Sequence, residues 1–317
     1  MKPKIASQDS LTPRYAVYRQ RLCARDARLD DRLHQGRMVV TTLGALVPRY
    51  EVILLDAFGV LNLGEEGIPG APEAVGMMRA CGKMVRVVSN NASQSPVSMI
   101  KKLHKLGFDF RVEEIISSGM AAHAYLAQSV WQGRPYLLIG SEESAAVYAY
   151  QSERYMVNRL DTPWKLEDAE FILFCSNRDY HGQQQEQDAL QLLQHKRVPI
   201  LLANPDLATP KPDGRLEPVA GFAAMELVER FDLTIEGIGK PFAPIFDEVV
   251  RQFPEVPRTR ILMIGDTLDT DVLGAAAMGF ASCLTLSGAC AGWGERLSEL
   301  CTARGICPDW VIESLGH

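Results

Sequence analysis

Short apolar runs, each about the length of a strand, alternate along the chain with segments bounded by helix start and stop signals. Val52-Ile53-Leu54-Leu55 is the first clear run, and an unbroken apolar run of this length suits a strand buried on both faces of a parallel sheet. Val85-Arg86-Val87-Val88, Tyr136–Ile139, Phe171–Phe174, Pro199–Leu202, Arg260–Ile264 and Ala281–Leu286 predict further strands. Between them, Pro72, Glu73 and Gly82 bracket a helix, and Ser95-Pro96 reads as N-cap and first position of another running to about Leu106. More helices are expected over Thr41–Val47, Met120–Ser129, Ser144–Glu153, Gln183–His195, Phe222–Arg230 and Ala243–Gln252. A last one, capped by Thr270 or Asp271, should stop near Gly279. Leu160–Glu170 reads as a loop. Strand–helix alternation of this kind predicts an α/β fold with a doubly wound parallel sheet and right-handed crossovers.

Several strand or loop ends carry polar residues: Asp56 after the first run, Ser89-Asn90-Asn91 after the second, Lys240 in Gly239-Lys240-Pro241, and Asp266 with Asp271 after Arg260–Ile264. In a doubly wound sheet such ends converge on one crevice. Phosphoryl transfer needs a nucleophile, a donor for phosphate oxygens, a fixed cation and carboxylates for Mg2+. Asp56 and Asp266 can supply the carboxylates, and Asp56 can also attack phosphorus. The bland readings are an Asp56 that caps a turn, a surface Lys240, and a Ser89 that is one more loop serine.

Length and composition add bounds. With 317 residues the chain is long enough for two domains, and the middle block, about 112–203, holds enough elements to be one of them. A net charge of −6 disfavours nucleic acid and anionic membranes as partners, and no apolar run is long enough to cross a membrane. The first ten residues lack the apolar core of a secretory signal, and the seven cysteines show no paired or zinc-like spacing. These features predict a cytoplasmic protein with reduced thiols. Residues 1–40 are set apart by a charge of +5 against −11 for the remainder. They read as a basic extension in which Tyr15–Leu33 forms an exposed helix with i,i+4 charge pairs, packed on the body or on a partner subunit.

The segments DAFGVL, VVSNNAS, GKPFAPIF and MIGDTLDTDVLGA resemble the four ordered motifs of the haloacid dehalogenase-like hydrolase superfamily. Their spacing is similar to its class IIA branch, the NagD-like and p-nitrophenylphosphatase-like proteins. GEEGIPGAPEA, Asn204-Pro205-Asp206 and LTLSGA add to the likeness, which runs from about Glu51 to Gly288. The resemblance implies a Rossmann-like core from residues 41–92 and 206–317 and an inserted α/β cap over 93–205. It implies Asp56 as nucleophile and Mg2+ ligand, Ser89 as the phosphoryl-binding hydroxyl with Asn90 beside it, and Lys240 as the lysine that neutralises nucleophile and phosphate. Asp266 becomes the second metal carboxylate and Asp271 its acidic support. The substrate would be a small phosphorylated metabolite, and a homodimer through the cap is an arrangement common among capped relatives.

One position departs from the superfamily. Its first motif usually carries a second Asp, which protonates the leaving group and later activates water; here that position is Phe58. The Phe58 carbonyl can still ligate Mg2+, but the ring cannot transfer a proton, and loss of a general acid–base typically costs about 10²–10⁴-fold. The expectation is a Mg2+-dependent phosphatase with slow turnover. The competing reading is a phospho-ligand sensor or interaction protein, and phosphonate or phosphotransfer chemistry is a third. In the cap, Ser176–Tyr180 is either a substrate contact or a solvated loop.

Overall fold

The computed structural model describes residues 8–21, 29, 36–141, 143–144, 155–156, 165–178, 180 and 183–316. Two parallel sheets organise them. The larger has seven strands, in the spatial order Val39–Val40, Trp310–Ile312, Ala281–Thr285, Ile261–Gly265, Val52–Leu55, Met84–Ser89 and Ile115–Ser117. Val52–Leu55 lies inside it, paired in parallel with Ile261–Gly265 on one side and Met84–Ser89 on the other. Its side chains alternate between two cores. Ile53 and Leu55 pack with Val75, Met78, Ile100 and Leu103, from the helices Ala71–Ala80 and Pro96–Lys105. Val52 and Leu54 pack with Ala121, Ala122, Ile245 and Phe246, from the helices Ser118–Gln128 and Ala243–Gln252. A strand enclosed in this way has no solvent face, which is why its sequence is apolar at every position.

The second sheet has five strands, in the order Ile235–Gly237, Ile200–Leu202, Phe171–Phe174, Tyr136–Ile139 and Tyr155–Met156. One face, with Tyr136, Leu138, Phe171, Leu173 and Leu201, shares a core with Ala121, Ile245 and Phe246. The two sheets therefore stand on opposite sides of a common layer of helices. The other face is covered by Gln184–His195, Ala220–Phe231 and the N-terminal helix Gln8–Arg21.

Sheet membership differs from the expected boundaries at 92/93 and 205/206. Residues 93–117 belong with the larger sheet, because Ile115–Ser117 pairs with Met84–Ser89. The second sheet reaches Gly237, because Ile235–Gly237 pairs with Ile200–Leu202. Both are three-residue strands, too short to show a period. The hairpin strands Asn62–Leu63/Glu66–Gly67 and Ala208–Pro210/Leu216–Pro218 were not expected for the same reason.

The N-terminal helix also differs from expectation. It covers Gln8–Arg21, beginning before Tyr15, and its basic residues reach other elements: Arg14 faces Glu226 at 3.7 Å and Arg21 bonds Asp232 at 2.7 Å. The acids of the expected i,i+4 pairs lie outside the described residues. Leu11, Tyr15 and Tyr18 are buried, so the helix packs on the body, one of the two expected arrangements, and is not exposed. The rest of the expected Tyr15–Leu33 helix, apart from Leu29, lies outside the described residues, as does most of Ser144–Glu153. Within Leu160–Glu170, Leu166–Asp168 forms a 3-10 turn.

Candidate active site

Asp56 follows the Val52–Leu55 strand and extends its ladder, its N–H donating to Ile264 O at 2.9 Å. The chain then turns sharply: Gly59 has φ +84°, its N–H donates to Asn62 O at 2.8 Å, and its carbonyl accepts from Ser287 Oγ at 2.7 Å. The turn is thereby tied to the loop after Ala281–Thr285. A side chain at Gly59 or Gly288 would overlap the Asp266 carboxylate, so glycine at these points lets two loops close on one acid.

Lys240 stands at the centre. Its ammonium donates to Asp56 Oδ1 at 2.6 Å and to Asp271 Oδ1 at 2.7 Å. The Lys240 side chain is 1% exposed and that of Asp56 13%, so the lysine is sealed while the candidate nucleophile stays reachable. Burial opposes the lysine charge, but Asp271 and Asp56 outweigh it and hold its pKa above the ordinary value.

Asp266 and Asp271 come from the end of Ile261–Gly265 and the turn that follows. Asp271 does not cap the next helix from outside, as expected. It lies within a π-helical turn, Leu268–Val272, that runs directly into Leu273–Met278. Asp271 Oδ2 accepts from Thr267 N at 3.1 Å, a bond back across the turn that the expected α-helical spacing did not include. Asp266 accepts from Thr267 Oγ1 at 3.0 Å and Ala289 N at 2.6 Å. The helix does end in a left-handed Gly279.

The carboxylates of Asp56, Asp266 and Asp271 each place an oxygen within 4.8 Å of the others. Burial, and the charge of Asp271 next, push the Asp266 carboxyl up to about 7. Burial also raises Asp56 well above the usual range; Lys240 opposes the shift and Asp271 and Asp266 add to it. Crowded carboxylates of this kind are starved of positive charge. An all-oxygen donor set with excess negative charge fits a hard divalent cation such as Mg2+.

Ser89 ends its strand buried, and its hydroxyl accepts from Asn91 N at 3.3 Å. Asn90 makes contacts that the sequence did not announce. Its Oδ1 accepts from Lys240 N at 2.7 Å, and its Nδ2 donates to Lys240 O at 3.1 Å and Asp206 Oδ1 at 2.8 Å. Its side chain thus braces the lysine loop. Asp206, at the end of Asn204-Pro205-Asp206, had no expected role; burial pushes its carboxyl up to about 6 against the pull of Lys240. The Ala289 N–H was also missed, because a backbone donor has no side-chain signature.

Phe58 is half-buried, with Lys102 Nζ 4.9 Å from its ring centroid. Lys102 also donates to Gly64 O at 2.6 Å and Glu65 Oε1 at 2.9 Å. Of Ser176–Tyr180, Asn177 is buried and donates to Pro218 O at 2.9 Å, Arg178 is exposed, and Asp179 lies outside the described residues.

Comparison with known proteins agrees with this geometry. Residues 53–151 match the family described as haloacid dehalogenase-like hydrolase, and residues 237–317 match a second, HAD-hydrolase-like family. A glycerol-3-phosphate phosphatase of Gallus gallus is 29% identical over 296 residues, covering 88% of this chain and 94% of the relative. Phosphoglycolate phosphatase 1A of Arabidopsis thaliana is 26% identical, covering 77% and 70%. Among solved structures, a possible sugar phosphatase of the HAD superfamily from Cytophaga hutchinsonii superposes with a TM-score of 0.76 at 26% identity, covering 88% of this chain and 99% of its own. A glycerol phosphate phosphatase of Mycobacterium tuberculosis in complex with magnesium superposes with a TM-score of 0.69 at 24% identity, covering 87% and 77%. With more than half its length matched by two models of one superfamily, and with that superfamily's fold and acidic cluster around Lys240, the chain belongs to the haloacid dehalogenase-like hydrolases.

Proposed function

We propose that the protein is a Mg2+-dependent phosphatase of small phosphorylated metabolites, working through an aspartyl-phosphate on Asp56. The observation that carries this reading is the buried Lys240 ammonium bonded to both Asp56 and Asp271, with Asp266 beside them. Asp56, Asp266 and the Phe58 carbonyl would hold the metal, with Asp271 steadying the site from the lysine side. When bound, Mg2+ would supply positive charge to the phosphoryl oxygens.

Lys240 favours the ionised form of Asp56 against the effect of burial and orients it for attack. An Asp56 oxygen bonds to phosphorus as the ester oxygen leaves, and the Ser89 hydroxyl donates to a phosphoryl oxygen. Water then attacks the phosphorus, releasing phosphate and restoring the carboxylate. The Phe58 ring can neither protonate the leaving oxygen nor activate that water, so both steps depend on solvent or on the substrate itself. The named substrates of the relatives support a short-chain alcohol phosphate. Six cysteines among the described residues are free thiols, which supports a reducing, cytoplasmic setting.

The test is turnover on a panel that includes glycerol 3-phosphate, phosphoglycolate and p-nitrophenyl phosphate, with and without Mg2+. Wild type should release phosphate only with Mg2+, and Asp56→Asn should release none. Phe58 favours one alternative, a phospho-ligand sensor. Silence of the wild type on the whole panel, with calorimetric binding of a panel member, would replace the phosphatase reading with it.

A further inference from the structure

A buried ion pair lies beside the site on residues that the chemistry above does not use. Asp269 occupies the Leu268–Val272 turn, between Asp266 and Asp271. Its Oδ2 accepts from Arg304 Nη1 at 3.0 Å, and the two side chains are only 2% and 3% exposed. Asp269 Oδ1 has no hydrogen-bond partner among the described residues; Arg304 supplies the side-chain hydrogen bond to the carboxylate, with the charge of Arg19 nearby. Arg304 ends the Leu297–Arg304 helix. Its guanidinium carbon lies 4.0 Å from the ring centroid of Tyr15, and its carbonyl accepts a bond from Arg19. Tyr15 and Arg19 belong to the N-terminal helix, which thus reaches the metal-side turn in two contacts: Tyr15 to Arg304, and Arg304 to Asp269.

A buried ion pair is a poor device for stability alone, because desolvation can cost more than the attraction returns. An apolar pair of similar volume would join helix and turn as well. What the charged pair adds is direction: a planar donor fixes one carboxylate oxygen, and with it the path of the turn that carries Asp271 and follows closely on Asp266. The Tyr15 face lies against the guanidinium and keeps it from swinging away from Asp269.

We propose that Arg304 is a positioning residue for the Asp266–Asp271 turn, and that Tyr15 of the N-terminal helix completes the arrangement by holding the guanidinium. The inference rests on the metal-dependent reading above and extends it to a helix outside both matched segments.

The experiment is a Mg2+ titration of the full-length protein followed by thermal shift, alongside the Mg2+ dependence of p-nitrophenyl phosphate turnover. Loss of a group bonded directly to a metal ligand typically costs about 10–100-fold in metal affinity, and Arg304 acts one residue further out, through Asp269, so the low end of that range applies. Arg304→Gln should therefore raise the half-saturating Mg2+ concentration by about ten-fold, while the KM for substrate at saturating Mg2+ changes little. Tyr15→Leu keeps the burial but loses the aromatic face, and should move the same quantity in the same direction by less. Arg304→Lys keeps the charge but loses the planar fork, and should fall between wild type and Arg304→Gln. If Arg304→Gln does not fold, the other two variants carry the test. A merely structural role would lower the melting temperature and leave the half-saturating Mg2+ within two-fold of wild type; that result in every folded variant overturns the inference. A wild type with no Mg2+ response by either readout overturns the metal-dependent reading and this inference together.

Discussion

Phe58 is where one residue most changes the expected kinetics. Without a proton donor, attack by Asp56 should favour substrates whose leaving group is a weak base, so aryl and acyl phosphates should react far faster than alkyl phosphates. The second step lacks a base as well, and rapid mixing should show a burst followed by slow turnover. Phe58→Asp should raise the steady-state rate by about 10²-fold, but the new carboxylate would lie close to the Lys102 ammonium now over the ring. Phe58→Asp combined with Lys102→Met should therefore exceed Phe58→Asp alone; equal rates would show that Lys102 does not compete for the acid. Asp266 sets a pH dependence. In the absence of Mg2+ the folded state holds its proton up to about pH 7, while the unfolded chain releases it near 3.8. A folded state that binds the extra proton loses stability as pH rises across that window. Urea unfolding in EDTA should show this decline in wild type and a shallower one in Asp266→Asn, and saturating Mg2+ should offset it near neutral pH.

At the scale of elements, the site depends on how two loops are held. Asn90 ties the loop after Met84–Ser89 to both backbone groups of Lys240 and to Asp206. Asn90→Ala should cost about 2 kcal/mol by urea unfolding, since it strands buried backbone groups, and should lower kcat by misplacing Lys240. Gly288 is the other joint: a Cβ there would meet the Asp266 carboxylate and the Gly59 backbone. Gly288→Ala should abolish the Mg2+-dependent thermal shift with a smaller effect on the metal-free protein. The cap and stop signals of the helices were legible in sequence: Ser95 accepts from Ser98 N as an N-cap should, and Ala243–Gln252 has the expected bounds. The π-helical turn was not legible, because Leu-Asp-Thr-Asp-Val reads equally well as the start of an ordinary helix.

Over the whole molecule, the N-terminal helix bridges the second sheet and the loops of the site. Tyr18 is fully buried, with its ring centroid 6.4 Å from that of Phe242, which follows Lys240-Pro241. Tyr18→Ala should destabilise by about 3–5 kcal/mol, the usual cost of emptying a large aromatic site. Its exposed ion pair Arg21–Asp232 should contribute under about 1 kcal/mol. Denaturant unfolding of Tyr18→Ala against Arg21→Ala checks the contrast.

What the sequence determined by itself was the local part. Buried parallel strands must be apolar throughout and helix ends must satisfy their free backbone groups, so the polar residues at strand and loop ends, Asp56, Ser89, Lys240, Asp266 and Asp271, stood out before any coordinates, and the family resemblance gave them their expected roles. What only tertiary structure decided was which distant groups meet. Asn90 turned inward to the lysine loop because Lys240 arrives beside it from 150 positions away. Three-residue strands joined the two sheets by pairing with neighbours, with no period of their own to announce them. The basic N-terminal helix became core because its apolar residues found a surface, between the second sheet and the site loops, that exists only once the rest of the chain has folded.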